Sequence, residues 1–406
     1  MFFDRSNARG GDVPFDRAIP FVAMLVFSLV YGFVGIVACH VPTGDGLANY
    51  GAGVVGNDFL AFYSAAKLTL RGAAEAVFDR PAYLAMQDEI SPLGPHHPWA
   101  YPPHLLLPLA PFGLLPYFAS FLVWTAVMAA PFVILLRRRY GLALPILLLA
   151  PPILQNALVG QNGGLTASLI FGCVLALSAG RSVLAGVLAG LLVYKPQVAV
   201  LMPIALLAAR DVRALAAFAV TAAALPLASV AVFGLDIWVA FLRHLPEHMD
   251  MVLAGILPAE RFPTVYVAVE RLTGARRLAE ACQLVSMLAA WAAVYAVWRR
   301  SRSTTTRMIA LCLAMPLAAP FMLEYDLTVW AVPGFAVAAR IWRGHARRFD
   351  RTAMTLWLMT PPAIWLFART HWSLGLLPVL ALVALHLIPL LRSDPAPTSE
   401  PATVAA

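Results

Sequence analysis

The sequence predicts an all-α polytopic membrane protein, and three observations carry that reading. Of 406 residues, 61% are hydrophobic and 12% charged, with a mean hydropathy of +0.77, too apolar for a chain that presents most of its surface to water. Thirty-two prolines and 26 glycines run through the apolar stretches, where neighbouring membrane helices can re-satisfy the backbone groups they free. The 29 Lys and Arg exceed the 21 Asp and Glu by a net +8. These cations stand singly or in short loop clusters, without the aromatic-laced basic patch that nucleic acid needs, so no nucleic-acid partner is expected.

The first apolar run, Ala18 to Cys39, is about 22 residues long and follows Asp4, Asp12 and Asp16. A secretory signal has a shorter apolar core of about 7 to 15 residues and a basic leader, so this segment reads as a retained anchor. Eleven further segments bring the expected spans to 12: Tyr117 to Leu136, Gly141 to Ala157, Gly163 to Ala179, Ser182 to Tyr194, Val198 to Ala209, Ala214 to Phe233, Ala281 to Trp298, Met308 to Met322, Leu327 to Ile341, Ala353 to Ala368 and Leu374 to Leu391. A span takes about 20 residues, and Ser182 to Tyr194 with Val198 to Ala209 are short enough to form one long helix instead. Pro196 disfavours α geometry at Lys195, and two helices keep every basic loop from Arg137 onward on one side. A hairpin broken at Lys195-Pro196-Gln197 follows.

With that topology the amino terminus, Arg137 to Arg139, Arg181, Arg210, Arg213, Arg299 to Arg307, Arg340 to Arg351 and Arg392 share one face. That face gathers 19 of the 29 Lys and Arg but 7 of the 21 Asp and Glu, which makes it cytoplasmic by the positive-inside rule. Both termini then lie inside. Residues 1–392 form a single integral membrane domain, and 393–406, rich in Pro, Ala and Thr, read as a disordered cytoplasmic tail.

Cytoplasmic loops are short, whereas the opposite face carries two long insertions, about 40–116 and 234–280, which locates the chemistry outside. In the first insertion Phe59, Leu60, Phe62, Tyr63, Ala66 and Leu70 recur at helical spacing with Lys67 and Arg71 opposite, as in a helix lying in the membrane interface. Asp58 stands at its start. Asp79 before Pro81 predicts a second short helix. Polar residues recur at the outer ends of the spans: Gln155, Asn156, Gln161 and Asn162; Lys195 and Gln197; Glu324, Tyr325 and Asp326; Arg369 and His371. Charge inside a bilayer costs at least about 2.5–3.5 kcal/mol, so polar turns closing short helices suggest a wet cavity open outward. Interfacial loop position is the plainer account of each residue taken singly.

Such a cavity suits a lipid-linked phosphate substrate. Lys195, Arg369 and Lys67 are the cations that could neutralise a phosphate leaving group, and a carboxylate could act as base on an acceptor hydroxyl. Cys39, Cys173, Cys282 and Cys312 all fall in apolar segments without zinc-site or disulfide spacing and read as packing residues. Among the outward histidines, the pairs His96-His97 and His244/His248 lack a third ligand. A metal site is not favoured.

The stretches GNDF at Gly56 to Phe59, FYSAAKLTLRGAAEAVFD, AYPPHLLLPLAPFGLLP, GQNGGL at Gly160 to Leu165 and AGVLAGLLVYKPQ at Ala185 to Gln197 together resemble glycosyltransferase family 87, over roughly Val55 to Arg213. The resemblance implies a GT-C fold in a bacterial inner membrane and a polyprenyl-phosphate-sugar donor, mannose first. It also implies inverting transfer at the outer face to a glycolipid, polysaccharide or protein acceptor, with no cofactor. It implies Asp58 as general base, Lys195 on the donor phosphate, and Gln197, Gln161 and Asn162 as polar lining, with Tyr101 and His104 shaping the donor entrance; Tyr63 is expected among the substrate-lining residues. Family members carry a histidine shortly before a late membrane helix, where this chain reads PFMLEYDLTVW. Glu324, Tyr325 and Asp326 stand there instead, and His371 is an imidazole that could take the place. The plainer alternatives are a helix cap for Asp58, worth about 0.5–2 kcal/mol, a snorkelling helix-end lysine for Lys195, and packing for Tyr101 and His104. A transporter or flippase would also carry a dozen helices, but no convincing repeat of the kind expected there is present. A non-catalytic assembly factor for envelope polysaccharide is separated from an enzyme by Asp58 alone.

Overall fold

The computed structural model describes residues 15–44, 46–51, 53–92, 95–253, 258–370 and 374–392, and among them the chain is helical, with two isolated bridges near 42–54 and no strand. Every expected apolar segment contains helix, but four helices are long and apolar enough to cross a membrane: Ala18–His40, Tyr117–Tyr140, Val212–Phe233 and Arg276–Arg300. Most of the other expected spans are shorter or interrupted. Gly141 to Ala157 becomes Leu144–Leu148 and Pro151–Leu158, and Leu327 to Ile341 begins inside the 3₁₀ turn Glu324–Trp330 and continues in the helix Ala331–Trp342. At the expected hairpin break, Lys195 takes φ −124 and ψ 79 between the 3₁₀ turn Leu191–Tyr194 and the helical turn Pro196–Ala199, as the steric effect of Pro196 on its predecessor requires.

The chain divides into two compact units. The first comprises 1–168, 222–259 and 325–331. In it Phe15–His40 packs on Pro151–Leu158, with Gly32 and Gly35 against Leu154 and Leu158 and the Tyr31 hydroxyl donating to Gln155. The expected second insertion supplies the helix Asp236–Leu253, which packs through Phe241 on Phe78 at 5.5 Å between ring centres. Phe59–Leu70 forms at the expected place, but Phe59 to Ala66 and Leu68 are all buried in protein. The expected interfacial helix with one apolar face is therefore corrected to a core helix of this unit.

The second unit comprises 169–221, 260–324 and 332–406. Its centre is the pair Arg276–Arg300 and Thr304–Ala318, with Gln283 reaching the Leu317 carbonyl and the Tyr266 amide. Cys173 and Cys312 are buried in this unit and Cys39 in the first, whereas Cys282 is half-buried and so departs from the packing role expected of it.

Candidate active site

The site grows from two turns of the first unit that dock backbone to backbone. Gly56 and Asn57 take positive φ, +83 and +45, which turns the chain into the helix Phe59–Leu70. The Asp58 amide then donates to the Val159 carbonyl at 3.1 Å and the Asn57 side-chain amide to the Leu158 carbonyl at 3.1 Å. On the facing turn Gly160 runs at φ +67, and a Cβ there would overlap the Gly56 carbonyl oxygen. Only glycine fits that conformation and that approach together. The Trp124 indole donates to the Gly160 carbonyl at 3.0 Å and the Tyr117 hydroxyl to the Val55 carbonyl at 2.7 Å, holding both turns.

This docking sets the Asp58 carboxylate beside the side chain of Gln161. Gln161 Nε2 donates to Asp58 Oδ2 at 2.9 Å, and the Tyr101 hydroxyl donates to Gln161 Oε1 at 3.2 Å. His97 Nδ1 lies 3.1 Å from Asp58 Oδ1. Asp58 sits at the N-cap position of its helix with αR angles, φ −63 and ψ −14, and its side chain makes no cap hydrogen bond. Asp79 shows the contrast: it caps Arg80–Ile90 as expected, accepting from the Ala82 amide at 2.9 Å. Asp58 is therefore not spent on capping. Its side chain is 17% exposed, so a reactant can reach it.

Asn162 follows in the same turn, is buried, and has neither side-chain amide atom hydrogen-bonded among the described residues. Such an orphan amide costs about 1–3 kcal/mol, and a sugar hydroxyl would satisfy it. Tyr325 and Asp326, both buried, belong to this unit as well. The Tyr325 carbonyl accepts from Thr328 Oγ1 at 2.7 Å and lies where a Cβ on Gly163 would stand, which joins that late turn to the 160–164 turn.

Other expected residues stand apart from this cluster. Tyr63 spends its hydroxyl on the Leu115 carbonyl at 2.8 Å, and its ring is buried against Tyr117. Lys67 lies two and a half helical turns from Asp58, about 14 Å along the axis, with Nζ 3.5 Å from the Gly113 carbonyl; it does not join the Asp58 cluster. His104 is buried and stacks on Trp238 at 5.9 Å, which fits packing.

Lys195 and Gln197 belong to the second unit. Lys195 is 2% exposed, unlike a snorkelling lysine whose head reaches water. Glu324, also in that unit and fully buried, accepts from Arg261 Nη2 at 2.7 Å and Nε at 3.1 Å. This fork-like pair commits the carboxylate to a guanidinium more than to a sugar. Arg369 lies in the turn Ala368–Thr370, its side chain outside the description, and His371 lies outside the described residues. A cavity of about 300 Å³ in the second unit, lined by Glu260, Met359, Thr360, Phe367 and Leu377 among others, contains none of the expected residues. Among the described residues no group of three or more His, Cys, Asp or Glu is placed to hold a metal ion.

Sequence reasoning missed His97, which it weighed only as half of a metal pair. A signal was present: Pro98 biases His97 toward extended backbone, and successive extended residues point to opposite sides. His96 accordingly faces out, 2.7 Å from exposed Asp88, while His97 faces Asp58.

Among the described residues, helices long and apolar enough to cross a membrane mark the chain as a membrane protein. The family model described as glycosyltransferase family 87 matches residues 99–320, more than half of the chain, and the chain belongs to that family: it is a membrane glycosyltransferase. The matched stretch holds Tyr101, His104, Gln161, Asn162, Lys195 and Gln197, begins beyond Asp58 and His97, and ends before Glu324. No curated protein and no solved structure matches the chain.

Proposed function

We propose that the protein moves a sugar, mannose first, from a polyprenyl-phosphate donor to an acceptor outside the cytoplasm, with inversion at the sugar carbon and Asp58 as general base. The observation that carries this reading is the Asp58 carboxylate itself, which makes no cap hydrogen bond and lies beside Gln161 and His97 at a partly open surface. In the step, Asp58 takes the proton of an acceptor hydroxyl as that oxygen attacks C1 of the sugar, and the bond from C1 to the phosphate oxygen breaks with its electron pair leaving on phosphate. Opposite-side attack inverts the centre. Lys195, with Arg369, is assigned to the phosphate, where a fixed cation offsets the charge left on the departing group. Asn162 and Asp326 are assigned to sugar hydroxyls. No metal or other cofactor is invoked. The acceptor is a glycolipid, polysaccharide or protein, the membrane is a bacterial inner membrane, and both termini are cytoplasmic.

The test is sugar transfer by purified protein in nanodiscs, supplied with radiolabelled polyprenyl-phosphate sugars and a lipid extract of the host. Asp58→Asn keeps the shape and removes the base, and is expected to lower kcat by about 10²–10⁴-fold while its melting temperature stays near wild type. Transfer by Asp58→Asn at the wild-type rate would end the base assignment. Failure of folded wild type with every donor would favour a transporter or assembly factor.

A further inference from the structure

The histidine beside the candidate base is held in a way that separates its main chain from its ring. Gln87, on the helix Arg80–Ile90 and fully buried, grips the His97 main chain at both ends. Its Nε2 donates to the His97 carbonyl at 2.8 Å, and its Oε1 accepts from the His97 amide at 2.8 Å. Trp99 anchors the following residues, its indole on the Tyr101 carbonyl at 2.8 Å and its own carbonyl 2.9 Å from His244 Nε2. The loop is thus fixed without any hydrogen bond from the His97 ring. That ring places Nδ1 3.1 Å from Asp58 Oδ1, and its Nε2 is buried with no hydrogen-bond partner among the described residues.

We propose that His97 is a positioning residue for the transfer reaction: its imidazole, set by the Gln87 clamp, fixes the Asp58 carboxylate in the orientation that accepts the acceptor's proton. A carboxylate can only accept, so Nδ1 carries the hydrogen and donates it to Asp58 Oδ1. Gln161 donates to Oδ2. One donor beside each oxygen restrains rotation about the carboxylate bond and so sets the direction from which the acceptor's proton is taken. A third group orienting the base is the same logic that serves nucleophile–base pairs. Gln87 in turn acts through His97, with no contact to Asp58 needed.

The inference rests on the general-base reading of Asp58, and its test separates the two. In the kinetic arm, His97→Phe keeps a planar ring and removes the donor, whereas His97→Asn places an amide nitrogen near the Nδ1 position. His97→Phe is expected to lower kcat about 10–100-fold with the donor KM changed less than about twofold, and His97→Asn to recover kcat to within about threefold of wild type. Wild-type kcat in His97→Phe would overturn the proposal. So would a His97→Asn variant that is folded like wild type and as slow as His97→Phe, because a packing role gives no such rescue.

In the spectroscopic arm, protein labelled with ¹⁵N-histidine is compared with His97→Asn to assign the ring. The expected signal is the Nδ1–H tautomer, shifted by hydrogen bonding and altered in Asp58→Ala. An Nε2–H tautomer, or a resonance indifferent to Asp58→Ala, would overturn the proposal whether or not a sugar donor has been found. If wild type transfers no sugar, the base reading falls and this arm alone decides whether His97 holds Asp58.

Discussion

At Gly160 the backbone runs at φ +67 against the Gly56 carbonyl, so a methyl group there meets both conformational strain and overlap. Gly180 is the matched control, with φ +71 and nothing within 4 Å. Gly160→Ala is expected to cost about 1–3 kcal/mol, and Gly180→Ala about 1 kcal/mol, read as melting temperatures in nanodiscs. Transfer should fall in Gly160→Ala beyond what the loss of folded protein explains, because the overlap moves the turn that carries Asp58. Equal transfer by both variants would separate the 160 turn from the chemistry. Among single residues, Gln161 and Asn162 stood out as polar residues in a turn between apolar runs and Asp58 and Tyr101 through the family resemblance, and the fold sets Gln161 between Asp58 and Tyr101. His97 did not stand out: its partnership spans 39 positions of chain, and no local spacing announces which loop will fold back on which turn. Lys67 shows the converse. Its charge on the outer face suggested the phosphate, but helical rise alone carries it away from Asp58.

Between neighbouring elements, Arg340 near the end of Ala331–Trp342 and Asp350 at the start of Asp350–Phe367 hold two helices of the second unit together. Arg340 donates at 2.7 and 2.5 Å to the two Asp350 oxygens, and the Arg347 amide adds a bond at 2.8 Å. Burial pushes the Asp350 carboxyl upward, but these donors outweigh it and hold its pKa below the usual carboxylate range. A depressed folded pKa adds stability that is present above the unfolded value of about 3.9 and is lost as pH falls through the folded one. Asp350→Asn should therefore cost about 2 kcal/mol near neutrality, and the gap to wild type should narrow progressively as pH falls below about 4. Melting temperatures from pH 7 to 3 check this, and a gap that does not narrow at all below about pH 4 would assign the loss to packing. Local signals were reliable at this scale: the Asp79 cap and the Pro196 break both stand where the sequence put them. The helix Phe59–Leu70 was placed correctly but surrounded wrongly, since periodicity reports which residues are apolar and is silent about what covers the polar side. Small residues such as Ala61, Ser64 and Ala65 let that side pack as well.

Across the whole molecule, hydropathy and charge pattern gave the membrane class, whereas the twelve-span count asks more of composition than it holds. A broken helix of eight residues and a membrane helix look alike when both are apolar, and four helices among the described residues have full spanning length. Orientation can be measured on one of them. Arg276–Arg300 has 25 residues, about 37 Å at helical rise, more than the roughly 30 Å of a hydrocarbon core. Leu272 and Arg302 are exposed just beyond its two ends. In a parent with Cys282 changed to Ala, Leu272→Cys is expected to react with a membrane-impermeant thiol reagent in intact cells, and Arg302→Cys only after the membrane is opened. The buried Cys39, Cys173 and Cys312 should give little background. The argument for this direction is the asymmetry of charge, because Arg299, Arg300, Arg302 and Arg307 flank the second end and arginine-rich loops stay inside. Labelling at both positions would remove Arg276–Arg300 from the spans. The reverse pattern would place the long insertions, and with them Asp58, on the cytoplasmic side, where a donor facing the outer leaflet could not reach its base.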